Sequence, residues 1–374
     1  MSDERARCRW GFLGASTIGR KNWLAVLNSG NGCVTRVASR DLDRARQFID
    51  FCQQRHPFEV SPQGVGGYQA ILEDPEIDAV YIALPTGVRK EWVLQAAKCG
   101  KHVLSEKPCG VGYQDLLEMT TACAEAGVQF MDGVMFMHSA RLPLIRQAIR
   151  EKIGTLRRIT SQFCFCGDDR FQAGDIRVSS DLEPAGCLGD LGWYDIRLSL
   201  WAMDFELPVE VQGRLIRGVP GQRGAAEVPL EFSGWMKYAN GVESSFYCSF
   251  VSAMTQWASL TGTAGEVRMA DYALPFYGRE PGFELVRSQF DNGTCQFRMH
   301  PGIESVSVKE PSDSLPGSQE AKMFETFAKL VASGKPDSYW PMVALKTQRV
   351  MNGLLDSAAA GQSLRLVGEK YQEI

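Results

Sequence analysis

No run of apolar residues in this chain approaches the roughly 18 that a membrane-spanning helix requires, so no membrane partner is expected. Basic runs are missing too. The formal net charge is -4, and Arg5, Arg7 and Arg9 near the start are too few for the basic footprint of a nucleic-acid binder. Histidine is scarce, with four residues (His56, His102, His138 and His300) far apart in sequence, so zinc-type ligand spacing does not arise and no metal is expected. Eleven cysteines are present but none forms a Cys-x-x-Cys pair. That pattern reads as buried reduced thiols in a reducing compartment, not as a disulfide framework. Cys164 and Cys166 fall in an alternating apolar stretch and read as two thiols on one strand face. Met1-Ser2-Asp3-Glu4 is polar and lacks the basic and apolar regions of a signal peptide, which gives a cytoplasmic expectation.

The core has ample material, with 44% hydrophobic and 22% charged residues, an ordinary globular profile. A length of 374 residues exceeds one typical core and predicts two domains. From Cys8 to Met131 short apolar runs alternate with helical spacing. Strands are predicted at Cys8 to Leu13, Cys33 to Ala38, Asp78 to Leu84, His102 to Leu104 and Val128 to Met131. Helices are predicted at Ile18 to Leu27, Leu42 to Phe51, Lys90 to Cys99 and Leu116 to Ala126. Such alternation implies right-handed crossovers and a parallel sheet. Beyond Gly154 the strands lengthen and take period-two patterning, as in Ile159 to Cys166, Val209 to Ile216, Leu230 to Lys237 and Val242 to Ser249. Ala239-Asn240-Gly241 carries a hairpin signal. Gly218 to Glu227 reads as an exposed loop, and Glu320 to Ala332 and Met342 to Ala359 as amphipathic helices. The expected architecture is an α/β, doubly wound Rossmann domain over 1–131, then an α+β domain over 132–374 with an open-faced, mostly antiparallel sheet.

Gly11-Phe-Leu-Gly14-Ala-Ser16-Thr17-Ile18-Gly19-Arg20 lies between the first strand and the first helix, where a dinucleotide pyrophosphate meets a helix N-terminus. Gly14 and Gly19 fit the G-x-G-x-x-G template. Ser16 takes the middle position and offers a hydroxyl and an N–H. The second strand ends at Ser39-Arg40-Asp41, where a carboxylate would select the ribose 2′-hydroxyl of NAD and an Arg the 2′-phosphate of NADP. Arg40 favours NADP(H), while Asp41, one residue away, leaves NAD(H) open.

The run AAKCGKHVLSEKP, ending in Ser105-Glu106-Lys107-Pro108, resembles the Gfo/Idh/MocA oxidoreductases, and the resemblance extends to the C-terminal helix with Ser357 and Gly361. It implies a Rossmann domain followed by an open-faced sheet domain, with nicotinamide between them, in a homodimer or homotetramer formed through that sheet. It places Lys107 near the nicotinamide ribose and the reacting oxygen, with Glu106 beside it among the cofactor-binding residues. A buried Lys107 would cost too much to serve packing alone, and an ordinary loop-exposed charge is the alternative. The family's proline-asparagine turn appears as Leu84-Pro85-Thr86, and the His that follows it becomes Arg89. In Met135-Phe136-Met137-His138 a position that often carries Arg is Met137, and His138 either lines the substrate pocket or is structural. The glycine-rich element reads Glu183-Pro-Ala-Gly186-Cys-Leu-Gly189-Asp190-Leu-Gly192-Trp-Tyr194. Asp190 and Tyr194 share a face if the stretch is helical; the alternatives are a helix-start cap for Asp190 and an amphipathic residue packed beneath the sheet for Tyr194. Tyr where the family often has His resembles the glucose-fructose oxidoreductase and dimeric dihydrodiol dehydrogenase branches. Arg177 stands where related enzymes place a substrate-side Arg, with a surface role as the alternative.

The implied reaction transfers hydride between nicotinamide and an aldose, inositol or trans-dihydrodiol, with Tyr194 exchanging the proton. An unperturbed phenol near pKa ~10 is a poor base, and a neighbouring ammonium such as Lys107 would favour the phenolate. Asp190 would orient Lys107 or bind a substrate hydroxyl. Two rivals are a non-catalytic NADP(H) sensor, since fold alone does not establish chemistry, and a tight-cofactor enzyme that shuttles between two sugars.

Overall fold

The computed structural model describes residues 7–293, 295–368 and 370–373; the polar start Met1 to Glu4 and Arg5 lie outside them. Two compact units share the chain in alternating segments. Met1–His138, Asp181–Pro184 and Asp313–Gln348 form the first, and Ser139–Ser180, Ala185–Ser312 and Arg349–Ile374 the second.

The first unit follows the alternation of the sequence, as β1 (Cys8–Leu13), α1 (Thr17–Asn28), β2 (Gly32–Ser39), α2 (Leu42–Gln53), β3 (Gln63–Gly66), α3 (Gln69–Leu72), β4 (Ala79–Ile82), α4 (Thr86–Lys98), β5 (His102–Ser105), α5 (Tyr113–Glu125) and β6 (Phe130–Asp132). Its six strands are ordered β3-β2-β1-β4-β5-β6 and every pair is parallel. The strand before Leu84 is therefore the fourth, because β3 precedes it. The order reverses between β1 and β4, and at such a switch point the strand ends leave a crevice for ligands. Strands covered on both faces become continuous apolar runs, and Ala79–Ile82 is buried at every position. The helix Gln319–Ser333, from the C-terminal part of the chain, belongs to this unit. Its Phe324 and Phe327 meet Trp10 of β1, each with ring centroids 5.1 Å apart. Such aromatic pairs contribute about 0.5–1.5 kcal/mol each beyond their area.

The second unit contains α6 (Arg141–Glu151), β7 (Leu156–Cys166), α7 (Asp169–Gly174) and α8 (Trp193–Ala202), followed by β8 (Glu210–Val219), β9 (Val228–Lys237), β10 (Glu243–Ser249), β11 (Val251–Gly262), β12 (Glu266–Met269), β13 (Gly282–Val286), β14 (Gln289–Asp291), β15 (Arg298–His300), β16 (Ile303–Ser307), β17 (Leu364–Val367) and β18 (Lys370–Glu373). Ten strands form one sheet, ordered β16-β13-β12-β11-β7-β10-β9-β8-β17-β18, while β14 and β15 make a separate ribbon. The β7/β10 pair is parallel and the other pairs are antiparallel. Alternation along β10 buries Ser244, Phe246 and Cys248 and leaves Glu243, Ser245 and Tyr247 half-exposed. The hairpin expected at Ala239-Asn240-Gly241 joins β9 to β10. Ser357 is fully buried and ties the C-terminal helix to β8, accepting from the Gly213 amide at 3.0 Å. Cys164 is buried and Cys166 exposed. Among the described residues, no helix is long and apolar enough to cross a membrane, and no cluster of three His, Cys, Asp or Glu could hold a metal.

Candidate active site

Gly14 closes β1 with φ +106°, in the left-handed half of backbone space, and a Cβ there would sit 3.0 Å from the Ala83 carbonyl oxygen. Only glycine takes this turn without strain, and it lets another backbone or a ligand approach closely. Ser16 follows as the N-cap of α1, its Oγ accepting from the Gly19 amide at 3.2 Å. The hydroxyl read as a phosphate contact is therefore engaged in capping. The first-turn amides of a helix have no intrahelical acceptors, and Thr17 and Ile18 stand exposed there. Gly19 is buried, where a Cβ would crowd the Phe48 ring of α2 at 3.3 Å.

At the end of β2, Arg40 and Asp41 differ in their local engagement. Asp41 is the N-cap of α2, its Oδ1 accepting from the Asp43 amide at 2.9 Å, and its own amide donates to the buried Ser39 Oγ at 3.4 Å. Arg40 is exposed and has no such local duty. With Arg44, one helical turn on, it carries positive charge to Tyr68, whose phenol burial pushes up and these guanidiniums pull down. Arg44 was not singled out from sequence, although its i+4 spacing from Arg40 was the available signal.

At the end of β4, Leu84 and Thr86 are buried. Thr86 begins α4 and is engaged by Glu183, whose carboxylate accepts from the Thr86 amide at 3.0 Å and from its hydroxyl at 2.6 Å. A carboxylate on a helix N-terminus is favourable. The same short segment approaches so closely that a Cβ on Gly87 would lie 2.0 Å from the Asp181 carbonyl oxygen. Nothing in the composition of Asp181 to Pro184 signalled this role for Glu183.

At the end of β5, Glu106 is buried. Its Oε1 accepts from Tyr81 Oη at 2.5 Å and from Asn22 Nδ2 at 3.3 Å, and its Oε2 from the Lys107 amide at 3.3 Å. Burial and the neighbouring Glu106 charge hold the Tyr81 phenol well above its ordinary value. Lys107 is half-buried. The strand-end loop leaves it between the buried Lys and the loop-exposed charge that the sequence allows. His138 stacks on Trp340 with centroids 4.7 Å apart at 15°.

In the second unit, Asp190 and Arg177 come together. Arg177 Nε lies 3.1 Å from Asp190 Oδ2, and its Nη1 lies 3.3 Å from Asp175 Oδ1. Asp190 lies in a π-helical turn, Leu188–Gly192, that runs straight into α8. The stretch is helical, but its first turn is wider than the α-helix assumed from the i, i+4 spacing. Such π turns recur at functional sites. Tyr194 is 5% exposed and meets Phe163 of β7 edge-on at 5.5 Å.

Beside it in sequence, Asp195 is fully buried and its Oδ1 accepts from Tyr272 Oη at 2.9 Å. Burial drives the Asp195 carboxyl up to about 7, against the hydroxyl donors that favour its ionised form. Tyr272 is placed by Arg141, 1% exposed, whose guanidinium pairs with Asp271 Oδ1 at 2.8 Å and donates to the Asp271 and Tyr272 carbonyls at 2.6 and 2.7 Å. The sequence reading passed over both residues.

A dinucleotide-type domain joined to a sheet-rich domain that carries a buried Tyr beside a paired Asp is the organisation of a two-domain nicotinamide-dependent oxidoreductase. Residues 8–134 match the oxidoreductase family with an NAD-binding Rossmann fold, GFO/IDH/MocA, and residues 144–268 match the GFO/IDH/MocA C-terminal domain. The chain belongs to the GFO/IDH/MocA family. It is 26% identical over 365 residues to a D-xylose 1-dehydrogenase (NADP(+)) of Haloferax volcanii, covering 96% of this chain and 99% of that one. It is 27% identical over 266 residues to the trans-1,2-dihydrobenzene-1,2-diol dehydrogenase of Sus scrofa, covering 70% and 74%. A solved 3-ketoreductase from Actinomadura kijaniata, in complex with NADP and TDP-benzene, shares the fold with a TM-score of 0.77 at 24% identity, over 94% of this chain and 98% of that one.

Proposed function

We propose that this protein is an NADP(H)-dependent oxidoreductase that moves hydride between the nicotinamide and a sugar-like alcohol or carbonyl of the aldose, inositol or trans-dihydrodiol class. The observation that carries the reading is the corner at the end of β2. The carboxylate that could have selected NAD, Asp41, is committed to capping α2, so Arg40 is the residue left for a 2′-phosphate. Likeness to a xylose dehydrogenase named for NADP(+) and to a dihydrodiol dehydrogenase supports the same cofactor and substrate class.

Gly14 would admit the pyrophosphate to the first-turn amides at Thr17 and Ile18, with Ser16 holding the helix start through the Gly19 amide. Ser39 and Arg40 would take the adenosine end, and Leu84, Pro85, Thr86, Glu106 and Lys107 the nicotinamide end. When bound, the dinucleotide supplies the nicotinamide carbon that gives or takes hydride. Tyr194 Oη takes the proton from the substrate hydroxyl, or returns it to the carbonyl oxygen. Lys107 Nζ stabilises the negative charge that develops on that oxygen. Asp190, steadied by Arg177, accepts from a neighbouring substrate hydroxyl, and His138 borders the substrate. The functional form is a homodimer or homotetramer joined through the open face of the second unit's sheet, and it works in the cytoplasm.

The test is reduction of NADP and NAD by the purified protein over a panel of aldoses, inositols and cyclic trans-diols. Turnover of a panel member with NADP preferred is the expected result. NADPH binding without turnover of any member would refute the proposed reaction.

A further inference from the structure

Where the resembling family carries a His, this chain has Arg89 in the first turn of α4, 2% exposed. Its guanidinium is spent on backbone carbonyls. Nε donates to the Leu84 oxygen at 3.1 Å, Nη2 to the same oxygen at 2.5 Å, and Nη1 to the Glu106 oxygen at 2.7 Å and to the Pro108 oxygen. Glu106 and Pro108 are the two neighbours of Lys107, and the Lys107 amide itself donates to the Glu106 carboxylate at 3.3 Å. The Lys107 backbone is thus held through the carbonyl before it, the carbonyl after it and its own N–H. A guanidinium presents five donors in a rigid fork, whereas an imidazole has at most two and an ammonium is a single point. Neither alternative can span the three carbonyls.

We propose that Arg89 is a positioning residue: it fixes the backbone that aims Lys107 and locks that loop to the Leu84 carbonyl, so the two segments assigned to the nicotinamide end act as one rigid support. The proposal rests on the reading of Lys107 given above.

A double-mutant cycle tests it, with Arg89→Lys, Lys107→Met and the double variant. Two quantities are read: NADPH affinity by the cofactor's fluorescence, with no substrate present, and kcat with NADP and the panel member that wild type turns over, D-xylose being tried first. Misplacing a reacting group by about 1 Å can cost 10²-fold, so Arg89→Lys is expected to lower kcat by about 10–100-fold. In the Lys107→Met background the same change should cost less than about 3-fold, because residues acting through one another are not additive. The NADPH dissociation constants should likewise fail to multiply. If Arg89→Lys is not recovered folded, Arg89→His replaces it in the cycle.

Losses that multiply across the cycle, or a kcat for Arg89→Lys within about 2-fold of wild type, would overturn the proposal while leaving Lys107 in its role. An unchanged kcat and NADPH affinity in Lys107→Met would overturn the Lys107 reading, and the proposal with it. A protein that turns over no panel member is judged on the NADPH cycle, where multiplying constants overturn the proposal and non-multiplying ones sustain it.

Discussion

Replacing Asp195 by Asn removes a buried ionisation while keeping an oxygen that can accept from Tyr272. The wild-type carboxyl is raised by burial from 3.8 to about 7, so between these values the folded chain holds a proton that the unfolded chain has lost. Stability then falls as pH rises. The penalty is absent below about pH 4, grows through the interval and is complete above pH 7. A shift of that size corresponds to about 4 kcal/mol at ~1.4 kcal/mol per pH unit, an upper bound because a buried site can relax when it ionises. Urea unfolding of wild type and Asp195→Asn at half-unit steps from pH 4.5 to 8.5 reads the effect as a difference between the two proteins, which cancels groups common to both. The variant should gain about 2–4 kcal/mol on wild type across the range, most of it below pH 7.5. A difference that stays flat with pH would show that Asp195 titrates normally in the folded chain and would refute the argument from burial.

Gly14→Ala forces a non-glycine residue to φ +106° against the Ala83 carbonyl; it should cost about 1–3 kcal/mol, visible as a lowered thermal midpoint, together with weaker NADPH binding by fluorescence titration. Arg40→Ser should lower kcat/KM for NADP by about 10–100-fold, the worth of one or two charge-assisted contacts, and leave NAD nearly unchanged when steady-state rates with the two cofactors are compared.

Much of the Rossmann half was legible because strands such as Ala79–Ile82 are buried throughout and helices such as Leu42–Gln53 are amphipathic. β3 and α3 were exceptions: Gln63–Gly66 contains two glycines and is not fully buried at any position, so it carries no apolar run to detect, and Gln69–Leu72 is too short to show a helical period. In the second unit the long strands alternate cleanly, but α8 is buried at all ten positions and has no polar face to give a helical period. The helix was therefore only a condition attached to the Asp190 and Tyr194 spacing, and the π turn beneath Asp190 has no sequence signature of that kind. The residues missed share a cause. Glu183 and Tyr272 act through contacts with residues distant in sequence, Thr86 and Asp195, and no local pattern encodes such partners. Asp41 is the converse case: its role as the N-cap of α2 is a local one, with its Oδ1 on the Asp43 amide two residues on.

Tyr194→Phe compared with wild type shows whether Tyr194 carries the substrate proton, because the change removes one oxygen and keeps the ring that meets Phe163. With the panel substrate that wild type oxidises, kcat should fall by about 10²–10⁴-fold, the usual worth of a positioned acid or base, while NADPH affinity and the thermal midpoint stay close to wild type. A Phe variant that retains most of the wild-type rate would contradict the account and assign the proton to another group.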